Sequence, residues 1–284
     1  MTRQKQVHVK KTSGRYEFFD SEKLRDSLKR AGVSIIVIDD VAEEIAEEIK
    51  DGMHIDQIYA RAFEILKQHD KRAALSYSLR RSIADMGPTG FPFEDFVGEI
   101  YKAKGYKVDH GRMLPGKCIE HEVDIIAYKD EEVILNEVKF HHKHDMKTDV
   151  KVAMYIKSRF DDLVGVDIEL DGQVRKMTQG VLVTNTKLTL NAIKFGFCSG
   201  VNMISWNYPA KGNLHDLINE TKLHPVTCLT VLSMHEKKIL LDKFITTCQE
   251  LLDNMDVLRD MGLKEDRLDA VQEEVGLLLL ADKR

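Results

Sequence analysis

The stretch HEVDIIAYKDEEVILNEVKF, residues 121–140, joins two apolar segments with a short charged turn between them. Residues 123–128 and 133–139 each have the length and composition of a β-strand, which predicts a hairpin. Asp124 begins the first strand, and Glu137 and Lys139 end the second. Side chains alternate along a strand, so Glu137 and Lys139 share one face, and the hairpin can bring Asp124 beside them.

The segments on either side of this hairpin predict an α/β domain. An amphipathic helix precedes it, with apolar side chains on one face and a stop at Gly105. The other predicted elements are a strand at 106–108, a helix at 145–163, a strand at 180–184, a helix at 189–196 and a strand at 201–206. This order is typical of a mixed sheet flanked by helices.

The chain is long for one compact domain, and its punctuation predicts three domains. Gly87-Pro88-Thr89-Gly90 and Pro92 interrupt helical patterns and indicate a linker. Before it, residues 7–20 predict two short strands, followed by helices at 21–30, 41–50, 55–68 and 70–86. From about residue 214 only helical patterns follow, at 235–252 and 265–280. We therefore expect domains at 1–88, 89–212 and 213–284, the last one helical.

Asp124, Glu137 and Lys139 form a set that suits phosphodiester hydrolysis. Two carboxylates bind a hard cation such as Mg²⁺ through oxygen, and the cation polarises a phosphoryl oxygen and lowers the pKa of bound water. An adjacent lysine can orient that water or stabilise developing negative charge. The alternative without catalysis is a surface hairpin whose polar face carries Glu137 and Lys139 as an ion pair. The apolar surroundings of Glu137 and Lys139 speak against that alternative, because unpaired buried charge is costly.

Residues 93–206 resemble the Mrr-type restriction endonuclease family, and VDIIA…ILNEVK is similar to archaeal Holliday-junction resolvases. FEDFVGEIYKAKGYKV before the hairpin and GVLVTNTKLTLNAIKFGFCSGVNMISW after it carry the same resemblance. Both families have the PD-(D/E)xK nuclease core. The resemblance implies an endonuclease dependent on Mg²⁺ or Mn²⁺, with four catalytic residues: Asp124, Glu137, Lys139 and Glu94. It also implies that Glu94 joins Asp124 and Glu137 as a metal ligand, with Glu99 as the alternative.

The chain departs from these families at two positions. Many Mrr-type members have Gln where Glu137 stands, so the site is closer to the resolvase version. Val123 stands before Asp124 where the motif has Pro. On the helix that follows, Lys151 and Arg159 could line a substrate groove, although exposed helix charges are usually only solvated.

The N-terminal segment resembles the ATP-cone, a nucleotide-binding regulatory domain. Val9, Lys11, Gly14, Glu17 and Lys23 follow that family's VxKxxGxxExxxxxK spacing over about residues 5–86. The resemblance implies ATP or dATP as a regulatory ligand, with Thr12 standing where the family commonly has Arg. The implied nucleotide-binding residues are Val9, Lys11, Thr12, Glu17, Asp20, Lys23, Leu24, Ile55 and Tyr59. The alternative is a small α/β module that binds nothing.

Composition limits the remaining possibilities. With 42 basic and 47 acidic residues the net charge is −5, so any nucleic-acid surface is a local patch. No apolar run approaches the ~20 residues of a membrane span, and no export signal is evident, which favours the cytoplasm. The four scattered cysteines are expected to be free thiols. His141, His142 and His144 suggest zinc, but a polar loop beside the site is the better interpretation because no cysteine is near.

The sequence thus predicts a cytoplasmic nuclease that is regulated by ATP or dATP, with DNA rather than RNA as the expected substrate. A role in restriction, phage defence or DNA repair follows from the resemblance. Cutting both strands usually needs two active sites, so we expect a homo-oligomer, a dimer or tetramer. Two alternatives stay open: a nucleotide-sensing regulator that binds DNA without cutting it, and a ribonuclease.

Overall fold

The computed structural model describes residues 7–11, 14–143 and 146–279. It has the predicted mixed α/β architecture and contains two compact units. The first unit comprises the chain up to Leu79, together with Cys228–Leu232 and the chain from Leu263 on. The second comprises Arg80–Thr227 and Ser233–Gly262.

The described residues form the following helices and strands, each numbered in chain order. The helices are α1 Ser21–Arg30, α2 Ile35–Glu48, α3 Ile55–His69, α4 Lys71–Ala84, α5 Phe91–Ala103, α6 Val150–Leu163, α7 Leu190–Ser199, α8 Leu214–Thr221, α9 Met234–Asp242, α10 Cys248–Asp253, α11 Asp256–Asp260 and α12 Glu265–Leu279. The strands are β1 His8–Lys10, β2 Tyr16–Phe18, β3 Met53–His54, β4 Lys107–Pro115, β5 Glu120–Lys129, β6 Glu132–Lys139, β7 Lys147–Thr148, β8 Ile168–Leu170, β9 Gln173–Arg175, β10 Gln179–Thr184, β11 Lys187–Leu188 and β12 Asn202–Ile204. None of the helices within the described residues is long and apolar enough to cross a lipid bilayer.

In the first unit, the predicted hairpin of β1 and β2 forms a three-stranded sheet in the order β2-β1-β3. β1 pairs with β2 antiparallel and with β3 parallel. Asp20 caps α1 by accepting the Glu22 N–H, as an N-cap side chain does. Val9 of the sheet, Leu28 of α1 and Ile65 of α3 belong to one buried core, so the strands and helices fold as one body.

The second unit is built on a five-stranded mixed sheet in the order β12-β10-β6-β5-β4. β10 pairs parallel with β6 and β12, while β5 pairs antiparallel with β4 and β6. Leu135 of β6 packs in a core with Ala153 and Ile156 of α6. The neighbouring Asn136 accepts a hydrogen bond from Tyr101 of α5 at 2.6 Å. Because successive side chains point to opposite faces, α5 and α6 cover opposite faces of this sheet.

Several elements differ from the sequence expectations. α2 begins at Ile35, where the Ser34 side chain caps it, although Ile35 and Ile36 are exposed and obscure the helical pattern. The hairpin of β8 and β9 was not predicted, because it interrupts the chain with only three residues per strand. The expected helix at 235–252 is two helices, α9 and α10. The chain turns between them at Phe244, whose φ is 60°, and Thr247 caps the second helix.

The C-terminal stretch contributes to both compact units. In the first unit, Glu274 of α12 is 1% exposed, and its carboxylate accepts the backbone N–H of Thr230 at 2.7 Å. Lys71 and Glu273 form an ion pair at 2.9 Å in the same unit. The compact units therefore do not follow the boundaries at 88 and 212, and the three-domain division stays a prediction.

Candidate functional site

The β5–β6 hairpin brings Asp124 against the end of β6. The strands pair at Ile125 and Asn136, and Asp124 and Glu137 each lie one residue beyond that pair on their strands. The Val138 N–H donates to Asp124 Oδ2 at 2.7 Å, which fixes one carboxylate oxygen of Asp124 against the neighbouring strand. The spacing of 13 residues between the two acids thus becomes a short distance across a hairpin.

Glu94 reaches the same place from the first turn of α5. The rings of Phe93 and Phe140 lie 5.6 Å apart, so the start of α5 packs beside the end of β6. A methyl group on Gly90 would lie 3.0 Å from Glu94 Oε1, so the Glu94 carboxylate lies close to the backbone at the start of α5. Glu99, the alternative to Glu94, instead accepts a hydrogen bond from Lys102 at 2.7 Å on the same helix.

Mutual proximity shows in the electrostatics of the three acids. Burial raises the pKa of Glu94 to about 7, and the charges of Asp124 and Glu137 contribute. Burial and then the charge of Asp124 raise the pKa of Glu137 to about 7. The pKa of Asp124 is also raised, mainly by burial, although the Val138 N–H opposes the shift. Three partly buried carboxylates therefore repel one another at this end of the sheet.

Two cations face these acids. Lys139 is exposed at the end of β6, and its charge lowers the pKa of both Asp124 and Glu137. Arg159 of α6 donates from Nη1 to Glu137 Oε1 at 2.6 Å and from Nη2 to the carbonyl oxygen of Glu122. Sequence reasoning placed Arg159 on the helix but missed this contact, because a separation of 22 residues leaves no pattern to detect.

Glu94, Asp124 and Glu137 supply the oxygen donors that a hard divalent cation prefers. Their clustering fits such an ion, because a positive charge would relieve the repulsion among them. Within residues 7–11, 14–143 and 146–279, however, no group of three or more His, Cys, Asp or Glu side chains stands arranged to enclose a metal. One oxygen each of Asp124 and Glu137 is already engaged, by Val138 and Arg159.

A network of buried threonines lies directly behind Lys139, and sequence reasoning did not detect it. The Thr184 hydroxyl donates to the Lys139 carbonyl oxygen at 2.7 Å. The Thr148 hydroxyl lies 3.1 Å from that of Thr184, 3.0 Å from that of Thr186 and 3.3 Å from His141 Nε2. Burial lowers the pKa of His141. Threonines at the end of the apolar strand β10 were the available signal.

The histidines considered for zinc are held in other ways, as far as the structure describes them. The His142 ring packs edge-on against Phe140, with centroids 5.0 Å apart. His144 lies outside the described residues.

The predicted nucleotide-binding residues of the first unit fall into two groups. Lys11, Glu17, Lys23 and Asp20 form one charged cluster: Glu17 contacts Lys11 at 2.9 Å and Lys23 at 3.7 Å, and Lys23 lies 3.9 Å from Asp20. The second group is apolar or aromatic. Val9 and Leu24 are buried in the core, Ile55 is packed against it, and Tyr59 stacks on Tyr77 at 5.0 Å. Thr12 lies outside the described residues.

A cavity of about 510 Å³ lies elsewhere in the second unit. α5, α8 and the strands β6, β10 and β12 enclose it, with Ile100, Tyr106, Ile134, Val181 and Leu217 among the lining side chains. Its wall includes none of the four predicted catalytic residues. The acid cluster is therefore a separate feature at the sheet's end.

Comparison with known proteins identifies two segments of the chain. Residues 7–86 match the model of the ATP cone domain, which confirms the predicted nucleotide-sensing module. Residues 224–279 match the model described as AF1548-like, C-terminal.

An "Uncharacterized protein" of Archaeoglobus fulgidus is 29% identical over 172 residues, which is 59% of this chain and 90% of that protein. A solved structure, "Crystal Structure of Protein of Unknown Function AF1548", is similar with 26% identity and a TM-score of 0.53, covering 67% of this chain and 98% of that one. These matches name no nuclease, so they do not support the resemblance to Mrr-type enzymes.

Proposed function

We propose that the chain is a metal-dependent endonuclease that hydrolyses phosphodiester bonds in DNA and is regulated by a nucleotide bound to its ATP-cone domain. The observation that supports this proposal most strongly is the convergence of Asp124, Glu137 and Glu94 beside the exposed Lys139. Each acid comes from a different element, and the pKa of Glu94 and of Glu137 is raised to about 7. Perturbed carboxylates gathered in one place are typical of functional sites.

The three acids and Lys139 would have different roles in phosphodiester hydrolysis. Glu94, Asp124 and Glu137 would hold a Mg²⁺ or Mn²⁺ ion, which would polarise the phosphoryl oxygen and make bound water more acidic. Asp124 is oriented by the Val138 N–H on Oδ2, which leaves Oδ1 for binding. Lys139, held through its backbone by Thr184, presents an amine that would orient the attacking water or stabilise negative charge on the phosphate.

Regulation is proposed from the confirmed ATP-cone. A nucleotide regulates only if it binds one state of the protein better than another. We infer that ATP or dATP shifts the oligomeric state or the access of nucleic acid to the acid cluster, in a homodimer or larger assembly. Lys11 and Lys23 would bind the phosphates, because both form ion pairs with Glu17 and therefore lie close to each other.

A second candidate function is a nucleotide-sensing DNA-binding regulator that does not cut. The observation in its favour is the Arg159–Glu137 contact at 2.6 Å, which engages a proposed metal ligand. In such a protein the ion pair would be a permanent part of the fold. The two candidates differ in whether nucleic acid is cleaved.

The test is cleavage of supercoiled plasmid with Mg²⁺ or Mn²⁺, with and without ATP and dATP. We expect the wild-type chain to nick or linearise the plasmid and the Asp124→Ala variant to lose cleavage. The matched control is Asp167→Ala, which removes an acid 3.7 Å from Lys176 at the exposed surface of the same unit. Wild-type protein that binds plasmid but leaves it intact in every condition would support the regulator, and cleavage of RNA alone would indicate a ribonuclease.

A further inference from the structure

Arg159 lies inside the acid cluster, unlike the exposed Lys139. Its side chain is 14% exposed and that of Glu137 is 19% exposed. The guanidinium bridges two strands, since Nη1 donates to Glu137 on β6 and Nη2 to the Glu122 carbonyl on β5. The Tyr155 ring, one helical turn earlier, lies 5.7 Å from Arg159 Cζ.

This arrangement gives Arg159 the role of a counter-charge. A partly buried carboxylate without compensation is costly, and removing one partner of a buried pair leaves that cost exposed. The charges facing Arg159 are the carboxylates of Glu137 and Asp124, both of which it affects electrostatically. A divalent cation bound to the same acids would supply that compensation and would repel the guanidinium.

We propose that Arg159 and a divalent cation compete for the Glu137 carboxylate, and that the displaced guanidinium binds the phosphate of the nucleic acid. The proposal rests on the proposed nuclease function and assigns a further substrate-binding residue to it. In the protein without metal, Arg159 offsets part of the negative charge of the acid cluster through its contact with Glu137. A bound cation would replace Arg159 at the Glu137 carboxylate, and the freed guanidinium would bind the phosphate of the substrate.

The chemistry of arginine suits such an exchange. A guanidinium is planar and weakly hydrated, and its N–H fork matches a phosphate as well as a carboxylate. Tyr155 is 61% exposed, so its ring offers the guanidinium a cation–π surface between the acid cluster and solvent. Lysine carries its charge and its three donors on one nitrogen, without the planar fork by which Arg159 reaches two acceptors from two nitrogens.

The competition predicts that metal binding and cleavage change in opposite directions when Arg159 is neutralised. Repulsion between a unit charge and a divalent cation about 6 Å apart, even at the dielectric constant of water, corresponds to about a tenfold change in binding. We expect Arg159→Gln to bind Mn²⁺ about tenfold more tightly by this reasoning. Loss of a donor to the phosphate should slow cleavage about a hundredfold at saturating Mn²⁺.

The experiment measures Mn²⁺ affinity by titration calorimetry and plasmid cleavage on the full chain, for four proteins. These are the wild type, Arg159→Gln, Arg159→Lys and Lys157→Gln. Lys157 lies on α6 and pairs with Asp161, so its variant removes one positive charge from the same helix without touching the acids. It should match the wild type in both measurements. Arg159→Lys keeps the charge and should keep Mn²⁺ affinity close to that of the wild type, with slower cleavage.

Unchanged or weaker Mn²⁺ binding by a folded Arg159→Gln variant overturns the competition. If that variant does not fold by circular dichroism, Arg159→Lys decides, because weaker Mn²⁺ binding with a parallel loss of cleavage would mark Arg159 as a purely structural partner. A wild type that cleaves while Arg159→Gln matches it contradicts this inference alone. A wild type that neither binds Mn²⁺ nor cleaves contradicts the proposed function as well.

Discussion

Replacing Glu94 with Gln should stabilise the protein above neutral pH, although Glu94 is a proposed metal ligand. Burial and neighbouring carboxylates raise the pKa of Glu94 from its ordinary 4.5 to about 7. Each pKa unit corresponds to about 1.4 kcal/mol, so the full shift is an upper limit of about 3 kcal/mol. Glu94 is only partly buried and shares the repulsion with Glu137, so we expect about 1–2 kcal/mol.

The direction in which this stabilisation changes with pH follows from proton binding by Glu94. Between pH 4.5 and about 7 the folded chain keeps a proton on Glu94 that the unfolded chain has lost. The stability of the wild type therefore falls as pH rises through this window. The Gln side chain stays neutral, so the gain from Glu94→Gln should be absent near pH 4 and complete near pH 8.

The assay is urea unfolding of the metal-free protein with a chelator present. Unfolding is monitored by circular dichroism at several pH values. Glu169→Gln is the matched control, because Glu169 is exposed on strand β8 of the same unit. The control should show no pH-dependent gain. A Glu94→Gln variant that is less stable than the wild type at pH 8, or equally altered at every pH, would refute the clustering of the three acids.

Three further predictions follow from individual contacts. Tyr101→Phe removes the 2.6 Å hydrogen bond to Asn136, which is 0% exposed, and should lower the free energy of unfolding by about 1–2 kcal/mol in urea titrations. Asp162→Asn should reduce the loss of stability on acidification from pH 4 towards pH 2. Hydrogen bonds to Asp162, first of all from Cys118, lower the pKa of Asp162 to about 2. The wild type therefore loses the stability that these hydrogen bonds contribute as the pH falls through that range. Acid unfolding curves of the two proteins would show the difference. Lys11→Ala should weaken ATP binding about tenfold in equilibrium dialysis by removing a charged donor, and unchanged affinity would contradict its placement at the phosphates.

The sequence predicted the local fold around the candidate site well. The hairpin around residues 129–132 follows from two apolar strands with a charged turn, and this alone places Asp124 beside Glu137. The first helix of the ATP-cone segment begins at Ser21 behind the Asp20 cap, as its side-chain chemistry indicates. Such features depend on neighbours along the chain, which a sequence displays directly.

Long-range contacts could not be predicted in the same way. The Arg159–Glu137 pair depends on α6 crossing the sheet at one particular height. The threonine network joins Thr148 to Thr184, 36 residues away, through hydroxyls that no period marks. Contacts between the C-terminal helices and the N-terminal segment leave no pattern in the sequence either. The ion pair between Lys71 and Glu273, which lie 202 residues apart, depends on packing between distant segments.

The most direct test of the central claim is anomalous diffraction from crystals of this chain soaked in Mn²⁺. We expect a peak within bonding distance of the Asp124 and Glu137 carboxylates, with Glu94 facing it and Arg159 moved off Glu137. A well-occupied Mn²⁺ peak elsewhere, with these three acids empty and Arg159 still bound to Glu137, would contradict it.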